Sequence, residues 1–408
     1  MSELTNTKLG AIGKVSMCKR ILKNQTSSIG DIPFYKISTF GGKADCYISE
    51  ELFEEYKQKY SYPKIGDILI SAAGTIGRTV IYDGEKAFFQ DSNIVWIDND
   101  ESQVLNDFLF YFYQLKPWRK TTGSTIDRLY NDNIREIDIS FPTDKKEQKR
   151  VVEVLKSIDS KISNNNRINA ELESMAKTIY DYWFTQFDFP DENGKPYKSS
   201  GGKMVWNEEL KREIPEGWGA THIGDITICH DSKRIPLSSK ERENKKGEIP
   251  YYGATGIMDY VDEAIFDGDY VLMAEDGSVM NEKGNPILQR VSGKVWINNH
   301  AHVLEPSKKH CCKLLMMLLR DIQVSKIKTG SIQMKINQEN MNKIAVPDIP
   351  DDLIVLINDQ LNTIDKKILH NNHENQQLAS LRDWLLPMLM NGQVGFEGII
   401  DNAQNGNN

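Results

Sequence analysis

Two stretches of the chain combine cationic side chains with a Thr-Gly-Ser turn. In KPWRKTTGSTIDR, Lys116, Arg119, Lys120 and Arg128 outnumber Asp127, and in KIKTGSIQMK the cations Lys326, Lys328 and Lys335 have no acidic neighbour. Ammonium and guanidinium groups beside hydroxyls and open backbone amides are the chemistry of phosphate-oxygen binding. Arg, Gln and Asn side chains close by can read base edges. One such stretch alone reads as a solvated loop. Two at matching places of a repeated chain put nucleic-acid contact above that reading. The formal net charge of -8 argues against a protein that coats nucleic acid indiscriminately, but leaves local basic patches open.

Residues that could carry a reaction do not assemble into a known pattern. GAIGK at Gly10 lacks the spacing by which backbone amides cradle a phosphate, and no Asn/Asp-Pro-Pro-aromatic motif of an amino-methyltransferase is present. EQK at Glu147 has nuclease-like ExK spacing but falls at a helix start without an Asp partner strand. HNNHE, His370 to Glu374, sets two imidazoles an i, i+3 step apart on a helix with exposed flanks, and HAH, His300 and His302, reads first as a half-buried strand with one hydrogen-bonded His. SAAGTIG, Ser71 to Gly77, reads first as a hairpin turn that uses Gly for positive φ and second as an anion-binding nest, and SSGGK reads as a loop. YDYWFTQF, Tyr180 to Phe187, is either a docking surface or an aromatic plug between a helix and a globular part. The five cysteines, Cys18, Cys46, Cys229, Cys311 and Cys312, form no CxxC, so neither a disulfide frame nor a structural zinc site is expected.

The elements that must position these residues occur twice. LKSIDSKISNNNRINAELES places Leu155, Ile158, Ile162, Asn165, Asn169, Leu172, Ala176 and Ile179 on a 3-4 seam. LNTIDKKILHNNHENQQLAS does the same with Leu361, Ile364, Ile368, Asn371, Asn375, Leu378, Arg382 and Leu385. The two segments agree without a gap at about ten positions in thirty. Buried Asn weakens a helix pair but fixes its register, because a slipped alignment strands the amide. An antiparallel pairing with residue numbers summing to 540 sets Asn165 against Asn375 and Asn169 against Asn371. In that register Arg382 faces Ile158 and is expected to snorkel to solvent. Upstream of each helix the same order recurs. LGAIGKVSMCKRI is echoed by HIGDITICHDSKRI, GDIPFYKIS by GEIPYYGAT, and KIGDILISAAGTIGRTVIY by FDGDYVLMAEDGSVMNEKG. A short apolar helix, a basic TGS stretch and a Pro-containing strand end follow in each half.

These boundaries divide the 408 residues into a first globular domain over 1–144, a helix over 145–188, a flexible Gly/Ser/Lys/Pro-rich linker over 189–218, a second globular domain over 219–350, a helix over 351–396 and a polar tail over 397–408. The expected fold is α+β: two similar mixed α/β domains held apart by two long helices in an antiparallel coiled coil. No apolar run approaches the ~20 residues that span a bilayer, and no secretory h-region opens the sequence, so a cytoplasmic protein is expected.

This arrangement resembles the specificity subunit of a type I restriction-modification enzyme. The resemblance covers nearly the whole chain: GDILISAAGTIG and GDYVLMAEDGSV resemble that family's target-recognition domains, and PEGW and LRDWLLPMLMNGQV are its most specific phrases. It implies a non-catalytic adaptor in which each domain reads half of a split double-stranded DNA site. The helices would space the domains and dock two methyltransferase subunits. S-adenosylmethionine, ATP and Mg2+ would belong to those partners and to a restriction/translocase subunit, with no cofactor in this chain. A helix seam of about 28 residues spans roughly 42 Å, close to the ~34–36 Å between half-sites one DNA turn apart.

From polarity and repeat equivalence, the expected DNA-contacting residues are Lys36, Arg78, Lys116, Arg119, Lys120, Thr122, Ser124, Arg128, Lys233, Arg234, Asn299, Lys326, Lys328, Ser331, Gln333 and Lys335. Asn165, Asn169, Asn371 and Asn375 are expected to hold the helix register. A tandem protein-binding scaffold and a self-contained methyltransferase or nuclease are the competing readings.

Overall fold

The computed structural model describes residues 3–118, 128–307, 309–330 and 334–394. One unit takes in the chain up to Ser163 and again from Asn375. Its head contains β1 (Leu4–Lys8), the one-turn α1 (Leu9–Ile12), β2 (Gly13–Ser16), β3 (Ile32–Tyr35), β4 (Tyr47–Ile48), α2 (Glu50–Lys59), β5 (Ile68–Ser71), β6 (Thr79–Ile81), β7 (Phe88–Phe89), β8 (Ile94–Asn99), α3 (Asn106–Gln114), α4 (Asn131–Arg135) and β9 (Asp138–Pro142), and the long α5 (Lys145–Tyr180) follows. Sheets of order β2-β8-β5-β6 and β4-β3-β7 and the pair β1-β9 result. Strand β5, ILIS, is buried at every position, because both of its faces are covered. Ile68 and Ile70 pack with Phe108, Leu109 and Phe112 of α3, while the alternate Leu69 packs with Phe34, Phe88 and Trp96.

The second unit holds Asn164–Glu374. Its elements are β10 (Met204–Asn207), β11 (Arg212–Pro215), β12 (Gly219–His222), α6 (Ile223–Ile226), β13 (Thr227–Cys229), α7 (Ser239–Asn244), β14 (Lys246–Tyr252), β15 (Ile257–Val261), β16 (Phe266–Ala274), β17 (Leu288–Ile297), β18 (Ala301–Pro306), α8 (Cys312–Leu319), α9 (Gln338–Asn342), β19 (Ala345–Asp348) and α10 (Asp351–Met390), the last continuing beyond the unit. The repeat read from the sequence is a repeat of topology. The order β13-β18-β16-β17 matches β2-β8-β5-β6, and β12-β19 matches β1-β9. The parallel pair Tyr251↔Trp296 matches Phe34↔Phe88. Residue-level equivalents persist: Leu9 donates its N–H to Ile137 and Ile223 donates to Ile344, at 2.9 and 3.0 Å.

The heads differ where their sequences do. LQRVSGKVWI runs on as one ten-residue strand, β17, so the second head has a continuous six-stranded sheet. In the first head the equivalent path is broken after β6, where Gly84 adopts φ +97 in a turn before β7, and the sheet splits into four and three strands.

The segment expected to be a flexible linker is built structure. β10 and β11 form an antiparallel hairpin, the Asp188 carboxylate accepts the Ser199 N–H at 2.7 Å, and Trp218 stacks on Phe189 with ring centroids 5.2 Å apart. Aromatic burial outweighs the loop-like composition. The same force ends α5 at Tyr180, short of the expected 188, with a wider helical turn over Asp181–Thr185. That turn sends Trp183, Phe184 and Phe187 into the second unit's core, so the aromatic cluster is a plug, with Tyr182 left exposed.

Within each unit the long helices pack antiparallel. In the second unit, Leu172, Ala176 and Ile179 of α5 share a core with Leu361, Ile364 and Ile368 of α10. Asn371 donates to Asn169 Oδ1 at 2.8 Å, the pairing with sum 540, while Asn169 donates to Asn372 Oδ1 at 2.8 Å. Asn165, buried, donates to Glu374 Oε2 at 2.7 Å, one position before the expected Asn375. In the first unit Leu155 packs with Leu386 and Leu389. Arg382, expected to reach toward solvent, is about one-third exposed there and donates to Asp159 Oδ1 at 2.9 Å and to Asp383 Oδ1 at 3.0 Å.

Candidate nucleic-acid interface

In each head one hairpin turn and one basic segment are joined by a β-bridge. Strand β5 ends at Ser71, whose Oγ accepts the Arg78 N–H at 2.8 Å and closes the turn. Gly74 and Gly77 hold φ of +66 and +79, which a β-carbon would oppose. A Cβ at Gly77 would also fall 1.9 Å from Trp118 Nε1, so the indole can lie on the turn only because Gly77 has no side chain. Ala73 bridges Arg128, and Leu129 donates to Ala72 O at 2.7 Å. In the second head Asp276 bridges Lys335, Ile336 donates to Glu275 O at 2.8 Å, and Gly277 holds φ +74. The basic segments therefore end beside equivalent turns, with Arg128 and Lys335 as counterparts.

The expected contact residues divide into exposed and engaged groups. Lys116, Lys233, Asn299, Lys326 and Lys328 are exposed. Lys36 is tied to Asp45 at 2.8 Å, and Arg78 donates to Phe40 O at 2.7 Å, holding the neighbouring loop. Arg128 donates to Ser92 O at 3.1 Å and lies over the Tyr130 ring at 5.8 Å. Lys335 pairs with Glu275 at 2.9 Å while remaining half exposed. Arg119, Lys120, Thr122, Ser124, Ser331 and Gln333 lie outside the described residues.

Arg234 departs furthest from expectation. Its side chain is only 11% exposed and is consumed internally, donating to Glu275 Oε2 at 2.6 Å and Ala301 O at 2.7 Å, with Asp231 Oδ2 at 3.3 Å. It is a strut under the turn and not a free cation. Burial pushes the Asp231 and Glu275 pKa values up, but the hydrogen bonds donated to their carboxylates outweigh it. His302 and Arg234 hold Asp231, and Arg234 and Lys335 hold Glu275, below their ordinary values of 3.8 and 4.5. The residues that complete this network, Asp231, Glu275 and His302, were not legible as a group. The nearest signal was the alignment of CKRI with SKRI, which makes Arg20 the counterpart of Arg234, and Arg20 likewise pairs with Asp91 at 2.9 Å beside β8.

Both histidines of HAH are engaged. His302 is buried in β18, with Nε2 donating to Ile336 O at 2.8 Å and Nδ1 2.5 Å from Asp231 Oδ2, while His300 lies 2.5 Å from Asp276. Cys229, Asp231 and His302 bring ligand-type atoms within 4.8 Å of one another. The arrangement suits a cation poorly, because the Arg234 guanidinium already supplies the positive charge and both His302 nitrogens are spent. His370 and His373 are exposed, and the Glu374 carboxylate takes the Asn165 amide.

The family model for the type I restriction modification DNA specificity domain matches residues 1–174 and again residues 215–380. A putative type I restriction enzyme specificity subunit of Haemophilus influenzae, S.HindORF215P, is 66% identical over 152 residues, which is 37% of this chain and 39% of that one, so the match spans less than half of that relative. The MjaIX specificity subunit of Methanocaldococcus jannaschii is 27% identical over 399 residues, covering 90% of this chain and 88% of that one. The S subunit of a type I restriction-modification system from M. genitalium shares the fold, with a TM-score of 0.58 at 16% identity over 95% of this chain and 96% of that one. With the domain matched twice and the matches falling on the duplicated heads and their helices, the chain belongs to the family of type I restriction-modification specificity subunits.

Proposed function

We propose that each head reads one half of a split double-stranded DNA site, and that the helices dock two methyltransferase subunits, with restriction/translocase subunits joining that complex. The observation that carries this is the pair of equivalent bridges, Ala73↔Arg128 and Asp276↔Lys335, which deliver a basic segment to the same turn in both heads. Exposed Lys116, Lys326 and Lys328 then bind phosphate and set the position of the duplex, while side chains on the turns and on the loop before β8 or β18, Asn299 among them, meet base edges. This chain orients DNA and carries out no bond chemistry. S-adenosylmethionine, ATP and Mg2+ belong to the partners, in the cytoplasm where their DNA lies. No helix among the described residues is long and apolar enough to cross a membrane.

The test is co-expression with the methyltransferase subunit from the same locus in a host lacking the system, followed by mapping of methylated bases. A two-part motif with adenine methylated in each part supports the reading. Methylation or cleavage by this chain purified alone, or a continuous motif, would overturn it.

A further inference from the structure

The two long helices carry an aspartate at the same repeat position, Asp159 in SIDSKI and Asp365 in TIDKKI, 206 residues apart like the seam residues Ile158 and Ile364 that precede them. Both face inward. Asp159 Oδ2 accepts the Tyr111 hydroxyl of α3 at 2.8 Å while Oδ1 takes Arg382 of α10 at 2.9 Å, joining head, first helix and second helix at one carboxylate. Asp365, 5% exposed, accepts Arg290 Nε of β17 at 2.9 Å, and the same guanidinium reaches Asp269 of β16 at 2.7 Å. The two contacts use different head residues on different elements, so what the repeat preserves is the helix carboxylate as an anchor for a head.

We infer that Asp159 and Asp365 are positioning residues that fix the angle of each head on its helix pair, and through that angle the spacing between the DNA half-sites the protein accepts. Stability alone accounts poorly for them: an apolar pair of similar volume often replaces a buried ion pair such as Arg290–Asp365 at no net cost, and a partly exposed pair such as Arg382–Asp159 contributes only about 0–1 kcal/mol. What an apolar pair lacks is direction. Hydrophobic contact tolerates sliding and rotation, whereas the Arg290–Asp365 and Tyr111–Asp159 hydrogen bonds are made at one orientation only. Little rotation is needed to matter. A domain of ~150 residues has a radius of gyration near 15 Å, so a swing of about 13° moves a reading loop by ~3.4 Å, one base-pair step.

This inference rests on the proposed DNA-reading function, and the test separates the two. Arg290→Met with Asp365→Leu replaces both members of the second clamp by apolar groups, and Asp159→Asn with Tyr111→Phe weakens the first while nearly keeping shape. Each variant is expressed as the full chain with the methyltransferase subunit, checked for cooperative unfolding by circular dichroism, and its methylated sites are mapped. The expected result is unchanged half-site sequences, with methylation at spacers one base pair longer or shorter rising about tenfold, the population change that ~1.4 kcal/mol of lost orientational preference allows. A folded Arg290→Met, Asp365→Leu chain with the wild-type spacer alone overturns the inference. So does unfolding of both variants, which would make the carboxylates stability elements. Absence of any two-part methylation by the wild-type chain would instead defeat the underlying function.

Discussion

Adjacent cations Lys233 and Arg234 show how little a residue's type says about its work. Lys233 is exposed, whereas Arg234 is mostly covered between Asp231 and Glu275. Removing one partner of a buried charge cluster leaves the others uncompensated, at a cost of about 3–5 kcal/mol. Arg234→Met is therefore expected to destabilise the second head by that order, read as an earlier denaturant transition of the full chain, and to blur one half-site by loosening the turn above it. Lys233→Ala is expected to change stability by no more than about 0.5 kcal/mol, while lowering the slope of log affinity against log salt by about one if it meets a phosphate. Equal destabilisation by the two substitutions would contradict the assignment.

For the helices, the informative feature is the amide layer. Asn169 uses its amide in both directions, accepting from Asn371 and donating to Asn372, and Asn371 is 1% exposed. Asn371→Ala leaves Asn169 Oδ1 without its donor and should cost about 1–3 kcal/mol. The double change Asn169→Leu with Asn371→Leu should recover that loss or exceed wild-type stability, since a leucine layer packs without stranded polar atoms. Urea midpoints followed at the helix signal decide this. A single substitution as stable as wild type would remove the amides from the account of register. Asn165 donates to the Glu374 carboxylate, an interaction that a seam pattern cannot display because Glu374 lies off the 3-4 positions.

As a whole molecule the protein is a duplication whose halves have diverged in detail while keeping their connections. The 1–174 and 215–380 family matches follow that duplication, and each head closes on its own core clusters. Exchange of residues 219–350 for the equivalent part of another specificity subunit should accordingly change one half-site, leaving the other half-site and the spacer as they were. Mapping methylated sites directed by the chimera, partnered as for the wild type, reads all three at once. A change in both half-sites would show that the heads do not read independently.

The sequence by itself determined the duplication, the order of elements, the antiparallel register and the family. These rest on periodicity and on phrases repeated in cis, which are properties of neighbouring residues. It did not reveal that 189–218 is ordered, because loop composition conceals the stacking of Phe189 on Trp218 across 29 positions. Nor did it distinguish free cations from spent ones. Arg234 is neutralised by Glu275, 41 residues away, and Arg78 is held by a carbonyl 38 residues away. Whether a charge reaches solvent or a partner depends on which distant strand lies beside it, and only the tertiary fold brings those strands together.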